Sequence, residues 1–555
     1  MAEPTPSTSQ NAAQALVATL VAAGIDTAFC VPGESYLAVL DALYDAAGRL
    51  RLITCRQEGG AATMAEAHGR LTNKPGICFV TRGPGATNAA IGVHNAKQNA
   101  TPMVLFIGQV ARADQGREAF QEVDFEAMFA PLAKWAVEVR SSARMVEIAA
   151  RALHVASAGR PGPVVVSLPE DMLSEPCPAL ARPPAPVAPA VPSPDAMARC
   201  LALLNAATRP IAIVGGSSWT PASAARFTRF CEDGKIPILA AFRRQSLIDN
   251  RSPAYAGVLG LGPDPKLIAR VHGADLVLAV GTRLGDIVTQ GYSLFEGAAR
   301  AQKLIHVTPD ETDLGRVFAP ALGLACRADD FIDALPPLSP REEREAPFSA
   351  ARADYEAYSQ AAPEGLDLDP AAVFRHLRSR LADEAIITNG AGNFAIWLHR
   401  YFPYHGYNTQ LGPISGAMGY ALPAALAAKL ACPDRQVVAV AGDGELMMTV
   451  QELASAAQYG LKVIVLVFNN GMFGTIRMHQ AKTYPGRVSG TRLTNPDFAA
   501  LARAHGLFGA RVERTQDFAE ALARGLAAPH AALIELVCAP QQITPTMRLT
   551  DAPED

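Results

Sequence analysis

The sequence predicts an α/β protein made of three successive doubly wound parallel sheets. Three observations carry that prediction. Short apolar runs alternate with stretches of helical periodicity along most of the 555 residues. Two Pro-rich stretches, 176–195 and 336–365, interrupt the alternation and read as linkers. The segments they separate, 1–175, 196–335 and 366–540, each have an ordinary domain size, and a chain this long outgrows one core.

In chain order, residues 1–10 are expected to be disordered, and they lack the basic and apolar regions of a signal peptide. Asn11 is a suitable N-cap for an amphipathic helix over 12–25. FCVPG (29–33) reads as a strand ending in a turn at Pro32-Gly33. LITC (52–55) is a strand leading to Glu58, Gly59-Gly60 and a small-residue helix. ICFVT (77–81), MVLFIG (103–108) and PVVVSLP (163–169) are buried strands. The central segment contributes PIAIVGG (210–216), ADLVLAVG (274–281) and KLIHV (303–307). In the last segment AIIT (385–388) runs into Gly390-Ala391-Gly392-Asn393, an anion-cradling turn before a helix. The tail, 541–555, shows no pattern.

Bulk properties exclude several classes. A net charge of −4 and a pI near 6.3 leave no electrostatic footprint for nucleic acid or an anionic membrane. Nine scattered cysteines make no CxxC pair, so neither a zinc site nor a disulfide framework is indicated. No apolar run reaches the ~18 residues of a membrane span. The expectation is a soluble, cytoplasmic protein in a reducing compartment.

The most informative stretch is 437–480. Val437–Val440 reads as a buried strand that ends in Gly442-Asp443-Gly444. Leu446, Val450, Leu453 and Ala457 then follow helical spacing, and Val463–Phe468 is a second strand ending in Asn469-Asn470. This is a βαβ unit whose two strand ends point the same way. The glycines let backbone approach a ligand, and the helix after Gly444 offers unpaired N–H groups to an anion. Asp443 and Asn470 supply hard oxygens. A carboxylate, an amide oxygen and a backbone carbonyl suit Mg²⁺, which would also take phosphate oxygens. The residues alone therefore suggest a metal-diphosphate site.

GDG, then 24 residues (445–468), then NN resembles the thiamine diphosphate (ThDP) signature. The three-segment plan resembles ThDP-dependent decarboxylases and carboligases, above all acetolactate-synthase-like proteins. That resemblance implies a pyrimidine-binding first domain, a middle domain and a diphosphate-binding third domain. It implies Mg²⁺ on Asp443, the Asn470 side chain and the Met472 carbonyl. Cofactor contacts are expected at Pro32, Gly33, Asn88, Gly392, Asn393, Met418, Gly442, Gly444 and Glu445. Glu58 maps to the glutamate that activates the cofactor by pairing with its far ring nitrogen. Glu66, two turns into the same helix, is the rival carboxylate and is expected to be solvated. GPGATN (83–88), AFQE (119–122) and GAMGYALPAA (416–425) resemble further segments of these enzymes, and imply that Phe120 and Gln121 face the substrate and that Met418 wedges beneath the cofactor.

Three positions depart from the acetolactate synthase pattern: Arg82 stands for Ser, His479 for Trp and Ile287 for an Arg that reads a substrate carboxylate. Loss of a bidentate carboxylate clamp changes recognition. Carboligation to an aldehyde, simple decarboxylation and C–C cleavage of a pyruvate-like 2-oxo acid therefore stand beside condensation of two 2-oxo acids. His479 is a candidate proton donor or acceptor. A 2-hydroxyacyl-CoA lyase and a non-catalytic ThDP-binding subunit are the alternative readings. FAD in the middle domain stays open, and a homodimer or homotetramer with its active site at the subunit interface is implied.

Overall fold

Each of the three segments folds around one six-stranded sheet in a computed structural model that describes residues 10–295, 302–338 and 340–550. Residues 1–9 of the stretch expected to be disordered lie outside the described residues. The chain divides into two compact units, one running to Val187 and including Leu426–Ala431, the other Ala188–Ala425 with Cys432–Asp555.

The first unit holds β1 (Thr27–Cys30), β2 (Arg51–Thr54), β3 (Gly76–Val80), β4 (Met103–Gln109), β5 (Trp135–Glu138) and β6 (Pro163–Pro169), in the order β2-β1-β3-β4-β6-β5. Every pairing is parallel. β3, β4 and β6 are buried throughout, as their near-continuous apolar runs require. Asn11 caps the helix Ala12–Ala22 in a capping box with Gln14, and the helix stops where Gly24 takes φ +73°. Its buried face joins the core on one side of the sheet.

The second unit carries two sheets. One contains β7 (Pro210–Val214), β8 (Ile238–Ala240), β9 (Tyr255–Val258), β10 (Leu276–Val280), β11 (Lys303–Thr308) and β12 (Leu322–Ala325), ordered β12-β11-β10-β7-β8-β9. The other contains β13 (Ile386–Asn389), β14 (Gln410–Leu411), β15 (Val437–Gly442), β16 (Ile464–Asn469), β17 (Phe508–Val512) and β18 (Ala532–Val537), ordered β14-β13-β15-β16-β18-β17. These are parallel too. The stretch read as a second linker contains a helix, Glu345–Gln360, whose Phe348 and Ala351 are buried against the central cores. The tail is not patternless: Gln542–Thr544 (β19) and Met547–Arg548 (β20) form an antiparallel hairpin, and Ile543 and Leu549 bury beside Met472. Two three- and two-residue strands are too short to show a period in sequence.

The strand orders position the sites. In a doubly wound sheet the ligand crevice opens at the carboxyl ends of the two strands between which the order reverses. Those pairs are β1/β3, β7/β10 and β13/β15. The turns at Pro32-Gly33, Gly83, Gly390–Asn393 and Gly442–Gly444 follow β1, β3, β13 and β15 of these pairs, whereas Glu58 follows β2 and Asn470 follows β16.

Candidate active site

In the first unit, the turn after β1 meets the turn after β3. A Cβ on Gly33 would stand 2.5 Å from Thr81 Cβ, so only glycine permits this approach. Ser35 and Thr81 hydroxyls pair at 2.9 Å across the same junction, and Pro32 is exposed beside it. Glu58 is the first residue of the helix Glu58–Thr72, whose N-cap Gln57 accepts from Gly60 N–H at 2.9 Å. Asn88 Nδ2 donates to Glu58 Oε2 at 2.9 Å. Glu58 is half-buried, and its Oε1 has no partner among the described residues. One oxygen is thus oriented by protein and the other is left for a ligand.

Glu66 is not solvated. It is fully buried, and its Oε1 accepts from Asn99 Nδ2 at 2.8 Å and Thr101 Oγ1 at 2.7 Å. Two turns along the helix the expected surface face is instead packed on the helix Gly83–Asn99, where a Cβ on Gly92 would stand 2.4 Å from Ala62 Cβ. The small residues of the two helices, Ala62 and Gly92 among them, allow this close pairing.

Arg82 is buried and spends its guanidinium within the unit, donating to Glu170 at 2.9 Å and Glu34 at 3.4 Å. The loop carrying Phe120 and Gln121 folds back over the start of the helix Gly83–Asn99: Gln121 takes φ +64°, and a Cβ on Gly83 would meet its carbonyl at 2.8 Å. Gln121 Oε1 is buried with no partner, a polar atom that a ligand would satisfy. Phe120 is 75% exposed.

The third sheet gathers a second group. Gly442 ends β15, Phe468 pairs with it in register, and Asp443 and Asn469 follow. Asp443 is 3% exposed. Its Oδ2 accepts from Gly471 N–H at 3.0 Å and Asn495 Nδ2 at 2.7 Å. Asn495 also donates to Asn469 Oδ1 at 2.9 Å, and Asn469 Nδ2 donates to Glu535 at 2.7 Å. Burial raises the Asp443 carboxyl above its ordinary range, against the pull of these neutral donors. No cation lies within ion-pair distance of it among the described residues. A buried, unbalanced carboxylate beside Asn470 is the donor set expected of a divalent-cation site. Asn470 Oδ1 accepts only a 3.3 Å bond from Met472 N–H, and the Met472 carbonyl takes one from Gly474 N–H at 2.9 Å, leaving a lone pair on each.

Across the β13/β15 switch, a Cβ on Gly390 would stand 2.1 Å from Glu445 Oε1. Glu445 is buried, and burial pushes its carboxyl up to about 7 despite backbone N–H groups of Ala421, Gly419 and Tyr420 and the charge of Arg243. Ala421 N–H reaches Oε1 at 3.1 Å, and Thr449 Oγ1 donates to Gly419 O at 3.0 Å. The segment holding half-buried Met418 is therefore pinned to the turn holding Asp443. Gly444 accepts no side chain, since a Cβ would meet the Phe473 ring at 2.6 Å, and on Gly392 it would meet the Phe394 ring at 2.6 Å. Asn393 is tied to the helix Gly474–Thr483 through Thr475 Oγ1 at 3.0 Å and Met478 Sδ at 3.7 Å. His479, on that helix, is exposed and makes no hydrogen bond among the described residues.

Three successive stretches of the chain match the domain models of one enzyme family. Residues 10–128 match the thiamine pyrophosphate enzyme N-terminal TPP binding domain, 197–335 its central domain and 390–536 its C-terminal TPP binding domain. The acetolactate synthase large subunit of Parasynechococcus marenigrum is 33% identical over 548 residues, which is 95% of this chain and 87% of that one. This chain belongs to the thiamine pyrophosphate enzymes, in their acetolactate-synthase-like branch. The isozyme 3 large subunit of Escherichia coli is 29% identical, over 93% of this chain and 92% of its own. The mitochondrial catalytic subunit of Saccharomyces cerevisiae is 31% identical, over 89% and 75%.

Within this thiamine pyrophosphate enzyme, sequence reasoning missed Asn495, which donates to Asp443, and Asn469 and Glu535, which extend that hydrogen-bonded chain. Asn469 sits in the NN pair and was legible; Asn495 lies in a loop with no periodic signal. The central sheet differs from its neighbours. At β7/β10 a Cβ on Gly216 would stand 1.8 Å from Gly281 O, and the Trp219 indole, 2% exposed, donates to Gly215 O at 2.9 Å. The two turns thus approach each other closely, and Ile287 is partly buried against an apolar cluster of the central segment. No helix of the described residues is long and apolar enough to cross a membrane.

Proposed function

We propose that this enzyme is a ThDP- and Mg²⁺-dependent carboligase or decarboxylase acting on a pyruvate-like 2-oxo acid. The observation that carries the reading is the buried Asp443 carboxylate, paired with no cation among the described residues and held by neutral donors beside Asn470. Asp443, Asn470 Oδ1 and the Met472 carbonyl would hold Mg²⁺; Gly442, Gly444, Gly392 and Asn393 would admit the diphosphate. Bound ThDP supplies a carbon nucleophile for the donor carbonyl and an electron sink when CO₂ leaves.

The chain's own part is orientation and proton placement. Asn88 fixes Glu58 Oε2, which leaves Oε1 to hold a proton against the ring nitrogen of the pyrimidine. Glu445, whose carboxyl burial raises to about 7, anchors the Met418 segment through Ala421 N–H. Gln121 offers its unpaired amide oxygen, and Phe120 an apolar surface, to substrate. His479 is accessible for proton exchange. The Arg82 charge is committed to Glu34 and Glu170, and an isoleucine stands at position 287, so neither supplies a clamp for a second carboxylate. That supports an aldehyde acceptor, or protonation, over a second 2-oxo acid. A homodimer or homotetramer with its active site at the subunit interface completes the proposal, the cofactor's two ends being gripped by different segments.

Glu58→Gln keeps the shape and loses the acid. The expected outcome is ThDP binding within about threefold of the parent and turnover down by roughly 10²–10⁴. The measurement is calorimetric ThDP titration together with CO₂ release and mass-spectrometric products from pyruvate offered with aldehydes and 2-oxo acids. Full turnover by the variant would remove Glu58 from its role.

A further inference from the structure

The central segment holds an open-sided cavity of about 200 Å³ at the amino ends of β7 and β8. Its walls are Ile211, Leu239, Ala256, Leu267, Phe348 and Ala351, all buried, the last two supplied by the helix Glu345–Gln360. An engineered apolar cavity of ~150 Å³ takes up benzene, so this one has room for a ring-sized group.

The lining is not uniformly apolar. Arg209, Lys235, Arg270 and Arg344 contribute to it, and no acid does. Lys235 pairs with Glu345 at 3.0 Å, while Asp354 is shared between Arg270 and Lys266. Arg209 donates through Nε to Gly273 O at 2.8 Å, and Asp275, which accepts from the Arg209 backbone, is the acid nearest it. Arg344 is fully buried. It donates only to carbonyls, of Leu204, Ala207 and Gly234, at the C-terminal ends of two helices. Helix ends offset part of its charge, and no carboxylate is within ion-pair distance of it among the described residues. A guanidinium has five N–H donors, and four are used here, so one on Nη1 is left. A buried cation fixed in place, short of one acceptor and bordering an apolar cavity is a preorganised anion-binding group.

We propose that this cavity is a second ligand site, separate from the cofactor-binding turns, for an amphipathic monocarboxylate whose apolar body is about the size of an aromatic ring. The carboxylate sits among Arg344, Arg209 and Lys235, and the body enters between Leu239, Leu267 and Ala351. Neither half suffices alone: a small inorganic anion leaves the apolar volume unfilled, and a neutral aromatic leaves Arg344 short of its acceptor.

The test is calorimetry on the enzyme loaded with ThDP and Mg²⁺, with phenylacetate and its neutral isostere phenylacetamide as probes. Phenylacetate is expected to bind about tenfold tighter than the amide (~1.4 kcal/mol). Ala351→Phe fills the cavity and is expected to abolish phenylacetate binding. Arg209→Gln, at an exposed position that cannot unfold the core, is expected to weaken it about threefold to tenfold. Both variants should keep the turnover of the parent. Equal affinity for acid and amide, binding unchanged in both variants, or no heat from phenylacetate up to about 10 mM would each overturn the site.

Discussion

Asp443 is taken out of water with no protein cation to balance it, and what keeps it ionisable is a set of neutral donors. Asn495 matters most among these, because its one amide nitrogen serves Asp443 Oδ2 at 2.7 Å and Asn469 Oδ1 at 2.9 Å together. Asn495→Ala would leave the carboxylate with fewer donors and free Asn469 to turn away from the strand end. Groups that orient a metal ligand typically change metal affinity by ~10–100-fold when removed. The expectation is a rise of about that size in the Mg²⁺ concentration for half-maximal activity, with the folded state retained. An unchanged Mg²⁺ dependence would separate Asn495 from the cation. This residue also marks where sequence reading stops. GDG and NN announce themselves by glycine and by spacing, whereas Asn495 reaches the site through a loop that only the folded chain brings back. Glu66 makes the converse point, since a helical wheel cannot reveal that Ala62 and Gly92 let a second helix cover its face.

At the scale of elements, most buried central strands were readable, β8 and β18 excepted, and most edges were not, β2 being the edge read as LITC. β3, β4, β6, β10, β15 and β16 are apolar runs, because a parallel strand covered on both faces has no polar side. β5, β9, β12 and β14 lie at sheet edges with two to four residues each, and β5 and β12 are only partly buried, so no period develops. The turns between elements carry the tighter constraint. Gly390 follows β13, and its missing side chain is the space in which Glu445 Oε1 lies. Gly390→Ala would place Cβ 2.1 Å from that oxygen, so Glu445 must leave Ala421 N–H. Overpacking and a lost buried acceptor together cost about 2–5 kcal/mol. Urea unfolding should show that loss, and ThDP affinity should fall with it, because the displaced turn is the one holding Asp443. Parent-like stability would mean that Glu445 has another rotamer available.

At the scale of the whole molecule, histidines buried neutral lose stability first on acidification, before the carboxylates held below their ordinary range, such as Asp171 and Asp275. His68, 7% exposed and edge-on to Phe29 at 5.8 Å, has its pKa lowered by burial from 6.5 to about 4. His399 is lowered by burial to about 3, and burial lowers His306 as well. A folded pKa below the unfolded one means that stability is complete above about 6.5 and falls as the unfolded chain takes up protons that the folded one refuses. Glu445, raised to about 7, acts in the opposite direction, gaining stability as pH falls. It belongs to the second unit, where it counters His399 and His306; the first unit has His68. His68→Gln removes that titration and keeps a polar side chain of similar length. At pH 8 the variant should be less stable than the parent through lost packing. Between pH 6.5 and about 4 the difference should shrink by roughly 1.4 kcal/mol per pH unit, the slope of one proton. Urea melts of the two proteins across that range measure it directly, and a difference that stays constant with pH would show that His68 is already charged in the folded chain.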